Sequence, residues 1–155
     1  MAASYWLIKS DPEEFSIDDL KRSKNKTTYW NGVRNYQARN FMRDEMKKGD
    51  RVLFYHSNAE PNAVVGICEI VKEGYPDHTQ FDPEDIHFFP SAKKEEPTWF
   101  MVDVKLVKEF KNPVTLEAIR NSAKLKKMKL VQKGNRLSVM PVSKAEFDEV
   151  VKMGR

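Results

Sequence analysis

Cysteine and glycine are scarce in this sequence of 155 residues, and several familiar active-site motifs are missing. Cys68 is the single cysteine, so neither an intrachain disulfide nor a zinc site built from several thiolates can form. The six glycines do not supply G-x-x-x-x-G-K-[ST] or G-x-G-x-x-G, the two loops that cradle nucleotide phosphates. The nucleophile elbow G-x-S-x-G is also missing. These absences argue against a kinase, a dinucleotide-dependent dehydrogenase and a serine hydrolase.

Long apolar runs are missing as well. The longest run, residues 63–67 continued by Cys68, is far shorter than the roughly 20 residues that a membrane-spanning helix needs. The amino terminus has no charged segment that leads into an apolar one. We therefore expect a soluble, unsecreted protein without membrane contact, located in the cytoplasm, or in the nucleus if the source is eukaryotic. His56, His78 and His87 lack the i, i+4 spacing of a zinc-binding helix, so we expect no metal and no other cofactor.

The basic residues are unevenly distributed, although the net charge is only +4. No acidic residue lies between Ala118 and Ala145, a stretch that is rich in lysine. Acidic residues instead concentrate between residues 77 and 96. A basic face of this kind favours nucleic acid as a partner, whereas the plainer interpretation is a solvated surface.

The apolar patterns predict one α+β domain over residues 1–155. Strands rich in β-branched and aromatic residues are expected at 4–8, 51–55, 63–71, 98–110 and 137–140. Helical spacing or capping residues predict helices that begin at Ser16 and near Val114, and others over 33–46 and 143–153. Residues 25–28 are expected to form a polar loop, and residues 74–97 an excursion from the domain. Five to six strands with short peripheral helices indicate a mixed sheet that closes into a small β-barrel.

Three short segments combine aromatic and hydrogen-bonding side chains and are candidates for a ligand site. The first, residues 29–40, begins with an aromatic pair and continues into a predicted helix whose N-terminus favours anions. The second lies at a strand end and contains His56 and Ser57, and the third follows the first strand and contains Lys9 and Ser10. In each segment the alternative is a structural role, in which the aromatic side chains are core and the polar ones cap helices or form turns.

These segments, in their order and spacing, make the sequence similar to the EVE domain family. The similarity is carried by YWLIKSDPEEFSIDDL, YWNGVRNYQARNFMRDEMKKGDRVLFYHSN, VVGICEIVKEGYPD, WFMVDVK and LSVMPVS, which span nearly the whole chain. The resemblance implies a PUA-like barrel with a pocket that accepts a flipped, modified base, such as a modified cytosine in DNA or a modified nucleotide in RNA. A base taken out of its stack costs a few kcal/mol, which aromatic stacking and hydrogen bonds in the pocket must offset.

Given this resemblance, residue types suggest separate roles within the expected pocket. Trp30 is the first candidate for stacking on the base, followed by Trp6 and Tyr36. The candidates for reading the edge of the base are Ser10, Asn35, Asn40, His56 and Ser57. The candidates for phosphate contacts are Lys9, Arg34 and Arg39, with Lys127, Lys129 and Arg136 extending the contact along the backbone.

Two other functions remain open at this point. An enzyme acting on a nucleotide or small molecule would need His56 or Asp103 as its general acid or base. A protein-interaction adaptor would use the acidic, proline-containing excursion over residues 74–97. Binding of a modified base without catalysis is the function that the sequence favours.

Overall fold

Six strands form one mixed sheet within residues 3–155, the part of the chain that the computed structural model describes. Met1 and Ala2, which the predicted domain includes, lie outside the described residues. The strands are β1 (Tyr5–Ser10), β2 (Thr27–Tyr29), β3 (Arg51–His56), β4 (Ala63–Pro76), β5 (Phe100–Thr115) and β6 (Val139–Val142). The α-helices are α1 (Ile17–Arg22), α2 (Tyr36–Asn40), α3 (Leu116–Arg120) and α4 (Lys144–Gly154). A π-helical turn, Phe41–Glu45, continues α2, and short 3₁₀ turns occupy Lys24–Lys26, His78–Phe81, Ala123–Leu125 and Lys129–Val131.

The sheet has the order β2-β5-β4-β3-β1-β6 and is not closed by hydrogen bonds. β1 and β3 run parallel, with Tyr5 opposite Arg51 and Ser10 opposite His56, while the other neighbouring strands are antiparallel. The mixed α+β class with about six strands is therefore confirmed. The predicted barrel closure is corrected, because β2 and β6 are edge strands in the described part of the chain. Strand patterns reveal the number of strands, but closure depends on whether the two edge strands meet.

The sheet buries side chains on both of its faces. Alternation along β1 places Trp6 and Ile8 in one apolar cluster and Leu7 in the other. The first cluster is covered by α1 and the α2 region, which contribute Leu20 and Met42, and the second by α3, α4 and the turns before β6. Coverage of both faces explains why β1, β3 and the first half of β4 are nearly continuous apolar runs.

Local sequence signals determine several of the helix boundaries. Ser16 and Ser143 cap α1 and α4, and in each case the carboxylate three residues later returns a hydrogen bond to the cap, as the sequence predicts. The predicted helix over 33–46 is shorter, because Asn35 caps its start at Tyr36 and the π-helical turn replaces its second half. The predicted loop over 25–28 is partly wrong, since Thr27 and Thr28 belong to the short edge strand β2.

Cys68 is fully buried in β4, and burial raises the pKa of its thiol. A buried thiol in apolar surroundings stays protonated and is unreactive. Across residues 3–155, none of the helices combines the length and the apolar character that crossing a bilayer requires.

Candidate nucleic-acid interface

A cavity of about 720 Å³ opens where β1 ends, next to β2 and the segment that follows it. This volume falls in the range typical of small-molecule and cofactor sites. The lining comes from four separate parts of the chain: Lys9, Ser10, Asp11, Glu14 and Phe15; Thr28 to Arg34; Ile86 and His87; and Ser138. The first and third candidate segments of the sequence are thus brought together, and we call this space the β1 cavity.

Trp30 forms a fixed wall of the β1 cavity. Its indole is only 9% exposed and meets the rings of Phe15 and Phe54 edge-on, at centroid distances of 6.1 and 5.6 Å. Its backbone N–H donates to the carbonyl of Val102 at 2.7 Å, which continues the pairing of β2 with β5. Trp30 is therefore part of the core and part of the cavity lining at once, which combines the two alternatives that the sequence left open.

Lys9 and Ser10 are held by the strand pairing at the end of β1. The N–H of Lys9 donates to the carbonyl of Ser138 at 2.9 Å, and the carbonyl of Ser10 accepts from the N–H of Ser57 at 2.9 Å. The Ser10 hydroxyl donates to the carbonyl of Phe15 at 2.5 Å, so its oxygen can still accept a hydrogen bond. These contacts fix the backbone from which the two side chains reach the cavity.

The Lys9 ammonium is half-buried, and burial lowers its pKa. Within the described range, no carboxylate lies at ion-pair distance from it. Asp11 and Glu14 line the same cavity and supply carboxylate oxygens. A half-buried cation without a paired anion is costly, so this lysine is suited to meet an acceptor atom of a ligand.

A buried network around Asp77 fixes the far side of the cavity. The Asp77 carboxylate, which is fully buried, accepts from the N–H of Gly32 at 2.8 Å and from Arg34 Nη1 at 3.0 Å. It also accepts from the N–H and hydroxyl of Thr79, at 2.8 and 2.5 Å. Burial would raise the pKa of Asp77, but the hydrogen bonds from Thr79, Gly32 and Arg34 outweigh it and lower the pKa.

Arg34 ties residues 86–88 to this network. Its Nε and Nη2 donate to the carbonyl of His87 at 3.1 and 2.7 Å, and Nη2 also reaches the Thr79 hydroxyl at 3.3 Å. All of these partners belong to the chain itself. The predicted phosphate role of Arg34 is therefore replaced by a positioning role, in which Arg34 holds the segment that lines the cavity.

His87 and Ile86 line the cavity, although sequence reasoning missed both. Gly32 has a φ of +81°, and a Cβ at this position would lie 2.6 Å from Nε2 of His87, so the imidazole packs directly on the glycine. The opposite ring nitrogen, Nδ1, lies 3.1 Å from Oδ1 of Asp85. A glycine after an aromatic pair can indicate a close approach of another group, but it does not identify that group.

A second, smaller depression of about 430 Å³ is lined in part by residues next in sequence to those of the β1 cavity. Asn35 and Leu137 line it, and their neighbours Arg34 and Ser138 line the cavity. The remaining lining is mostly basic or amide-bearing: Gln37, Lys129, Gln132, Lys133, Gly134, Asn135 and Arg136. Two predicted phosphate contacts, Lys129 and Arg136, lie here, whereas Lys127 is exposed and lines neither depression. We call this surface the basic depression.

Several predicted base-contacting residues lie outside the β1 cavity. Trp6 is buried and its Nε1 donates to Asp50 Oδ2 at 2.9 Å, so it serves the core. His56 Nε2 accepts from the N–H of Ile17 at 3.1 Å, and burial lowers the pKa of this imidazole. Ser57 is joined to Ser10 through its backbone N–H and does not line the cavity. These corrections share one physical reason. Alternation along a strand shows which side chains share a face, but both faces of this sheet are covered, so sharing a face does not place a side chain in an open cavity.

The residues predicted on the helix after Trp30 are also placed elsewhere. Asn35 accepts from the N–H of Ala38 as the cap of α2, and Asn40 accepts from Arg39 Nε and Nη2 at 3.0 and 2.8 Å. Arg39 also donates to the carbonyl of Thr98 at 3.0 Å, so its predicted phosphate role competes with contacts inside the chain.

Tyr36 covers a buried tryptophan instead of lining the cavity. Its ring is 56% exposed and lies 4.8 Å from the ring of Trp99, with the guanidinium of Arg39 5.0 Å from its centroid. Trp99 itself is buried.

The two residues named for an enzyme are engaged in the structure. His56 accepts a backbone N–H as described, and the Asp103 carboxylate accepts from the Tyr75 hydroxyl at 2.5 Å. Neither residue lines the β1 cavity. In the described part of the chain, no three His, Cys, Asp or Glu side chains are grouped so that they could hold a metal ion.

Comparisons with known proteins agree on one family and one fold. The EVE domain model matches residues 4–153. Chicken thymocyte nuclear protein 1 is 46% identical over 166 residues, an alignment that covers 96% of this chain and 68% of the chicken protein. The structure of a hypothetical protein from Leishmania major has 46% identity and a TM-score of 0.93, covering 99% of this chain and 95% of its own. Human THYN1, solved in complex with DNA containing 5-methylcytosine, has 42% identity and a TM-score of 0.92, covering 99% of this chain and 98% of its own.

Proposed function

Because this chain belongs to the EVE domain family, we propose that its β1 cavity holds a modified base of a nucleic acid and that it does so without catalysing a reaction. The observation that carries the proposal is the cavity itself, which is lined by a fixed indole, by a lysine without an ion pair and by two acidic residues, Asp11 and Glu14. A base removed from its stack needs both an aromatic or apolar wall and hydrogen-bonding groups at its edge. The β1 cavity offers both.

The lining has groups that can satisfy a cytosine. Cytosine donates through its exocyclic amino group, and Asp or Glu carboxylates are the groups that accept this hydrogen bond. Asp11 and Glu14 supply such carboxylates, while Lys9 can donate to the ring nitrogen or carbonyl of the same base. The apolar side chains of Phe15 and Val33 offer contact surface for a methyl group at position 5 of the ring. A modified cytosine can therefore find a partner in this lining for its amino group, its ring acceptors and its methyl group.

The basic depression supports a polymer as the ligand. Lys129, Lys133 and Arg136 are exposed beside the cavity and can contact phosphates on one side of the bound nucleotide. The complex of the human relative with DNA containing 5-methylcytosine favours DNA as that polymer. A modified nucleotide in RNA is the alternative.

Fluorescence polarisation with matched oligonucleotides tests this function. Single- and double-stranded DNA and RNA probes would carry cytosine, 5-methylcytosine or 5-hydroxymethylcytosine at one position, and binding would be measured at low and high salt. We expect tighter binding of one modified DNA probe. Equal binding of modified and unmodified probes would refute the proposal.

Two tryptophan variants make the test specific for the cavity. Trp30→Ala would remove a core side chain and destabilise the fold by about 3–5 kcal/mol, so the shorter truncation Trp30→Phe is preferable. Trp6→Phe is the matched control, because Trp6 is also buried but does not line the cavity. We expect Trp30→Phe to reduce the preference for the modified base and Trp6→Phe to leave it intact.

The phosphate contacts have a separate readout. The double variant Lys133→Gln/Arg136→Gln should reduce the dependence of log affinity on log salt by about 1 per lost contact. Lys152→Gln is the control, because Lys152 is exposed on α4 and lines neither depression. The preference for the modified base should survive the double variant, since phosphate contacts carry no base information.

A further inference from the structure

Ile86 is the most exposed large apolar side chain among the described residues, and it lies in the lining of the β1 cavity. It is 86% exposed, whereas the other exposed large apolar and aromatic residues range from 37% to 56%. An isoleucine left almost fully in water contributes little to the stability of the folded chain. Its position beside a proposed base-binding cavity indicates a contact with the ligand.

The segment around Ile86 is held rigidly. The Asp85 carboxylate accepts from the N–H of His87 at 2.8 Å, and the N–H of Phe88 donates to the carbonyl of Asp85 at 3.0 Å. Arg34 grips the carbonyl of His87 with two hydrogen bonds, as described above. Ile86 therefore lies on a tight turn with both neighbours fixed, and its branched side chain has few rotamers to lose on binding.

The charges around Ile86 indicate which part of a nucleic acid it meets. Asp82, Glu84 and Asp85 precede it in the chain, so the charge of this turn disfavours contact with phosphates. The Asp82 and Asp85 carboxylates accept hydrogen bonds within the loop, from the N–H groups of Glu84 and His87 respectively. The part of the ligand that an apolar tip on an acidic turn can contact is the base stack.

We propose that Ile86 enters the base stack of a duplex and occupies the gap left by the base that moves into the β1 cavity. Apolar side chains such as isoleucine are known to insert between base steps, where they offset part of the unstacking cost. This inference rests on the proposed function, since it requires that a base leaves the stack. It adds that the protein acts on double-stranded nucleic acid and promotes the extrusion itself.

Binding measurements on paired and unpaired forms of one probe test this role. The probes are a DNA duplex with a central 5-methylcytosine opposite guanine and the same modified strand alone. The variants are Ile86→Ala and Ile86→Leu, with Val107→Ala as control because Val107 is 47% exposed on β5 and lies outside the cavity lining. Because all of these side chains are exposed, the folded state should be unaffected, which thermal unfolding can verify.

We expect Ile86→Ala to bind the duplex about tenfold more weakly, equivalent to about 1.4 kcal/mol, and to bind the single strand like the wild type. Ile86→Leu should recover most of the duplex affinity, and Val107→Ala should match the wild type on both probes. An equal loss on both probes would overturn the wedge role, because a wedge acts only on a stacked duplex. No loss on either probe would also overturn it.

The wild type separates a failure of this inference from a failure of the proposed function. If the wild type prefers the modified base only in single strands, the wedge role is wrong and the base-binding function stands. If the wild type shows no preference for the modified base in either form, the proposed function fails and the wedge role fails with it.

Discussion

Replacing Asp77 by alanine should destabilise the fold strongly, because this buried carboxylate joins residues 32–34 to residues 77–79. Four hydrogen bonds end on it, from the N–H of Gly32, the N–H and hydroxyl of Thr79, and the guanidinium of Arg34. Removal of one partner of a buried ion pair costs about 3–5 kcal/mol. Arg34 keeps its bonds to the His87 carbonyl and some contact with solvent, so we expect about 3 kcal/mol.

Urea unfolding gives the measurement. With a slope of about 2 kcal/mol per molar urea, the midpoint should fall by about 1.5 M with little change in the slope. Asp77→Asn should be intermediate, at about 1–3 kcal/mol, because the amide keeps one acceptor oxygen and loses the charge. Asp148→Ala is the control, since Asp148 forms an exposed pair with Lys144. The assigned role is wrong if Asp77→Ala shifts the midpoint no more than Asp148→Ala does.

The effect should also depend on pH, with a sign that follows from the lowered pKa of Asp77. An aspartate whose folded pKa is below its ordinary 3.8 stabilises the fold above that value and loses this contribution as pH falls through the folded pKa. The difference between the wild type and Asp77→Asn should therefore be constant near neutral pH and shrink below about pH 4. A difference that persists unchanged into strong acid would contradict the assignment.

Three further changes probe the cavity and its supports. Gly32→Ala should displace the His87 ring, because the new Cβ would lie 2.6 Å from Nε2 and an alanine is strained at this positive φ. We expect the modified probe to bind about tenfold more weakly or worse. Unchanged affinity by fluorescence polarisation would show that His87 does not shape the site. Because burial lowers the pKa of Lys9, the affinity for the modified probe should begin to fall with rising pH before an ordinary lysine would titrate. The affinity of Lys9→Arg should stay constant over the same pH range. Parallel pH profiles of the two proteins would exclude Lys9 as a donor to the ligand. Burial lowers the pKa of folded His56 below its ordinary 6.5, so between these two pKa values the unfolded chain binds a proton that the folded chain does not. The stability of the wild type should therefore fall as pH falls through this range, and the stability of His56→Gln should fall less. Identical pH profiles of thermal unfolding for the two proteins would contradict this role of His56.

Local signals made much of the fold predictable from the sequence. The caps at Ser16 and Ser143 define helix starts within one residue, because a side chain and a backbone N–H three residues apart decide them. The apolar strands were also predictable, because their β-branched and aromatic composition is a local signal. Closure of the sheet was wrongly expected, because it depends on the distance between β2 and β6, which no local pattern encodes.

The candidate site was only half predictable. Lys9, Ser10 and Trp30 were found because each stands beside a strand end or an aromatic pair. All three line the β1 cavity, while their contacts with a base stay predictions. Trp6 and His56 were misplaced, because alternation shows which side chains share a face but not which face remains open.

The far side of the cavity is formed by residues 74–97, the segment that the sequence predicted to be an excursion from the domain. Asp77, Ile86 and His87 lie more than 40 residues from Gly32 in the sequence, and their acidic, polar surroundings resemble an ordinary loop. Only the folded chain shows that a buried carboxylate and Arg34 draw this segment over the end of β1. Such long-range pairs carry no periodicity, so sequence reasoning had no means to find them.

The most direct test of the central claim is an NMR titration of ¹⁵N-labelled protein with DNA that contains 5-methylcytosine or cytosine. The three tryptophans give separate indole N–H signals, and Gly32 and Ser10 provide backbone N–H signals in the cavity lining. We predict that the modified probe shifts the signals of Trp30, Gly32 and Ser10 and leaves the indole of Trp6 unmoved, while the unmodified probe produces smaller shifts at these cavity positions. Shifts that spare the cavity, or that are the same for both probes, would contradict the account.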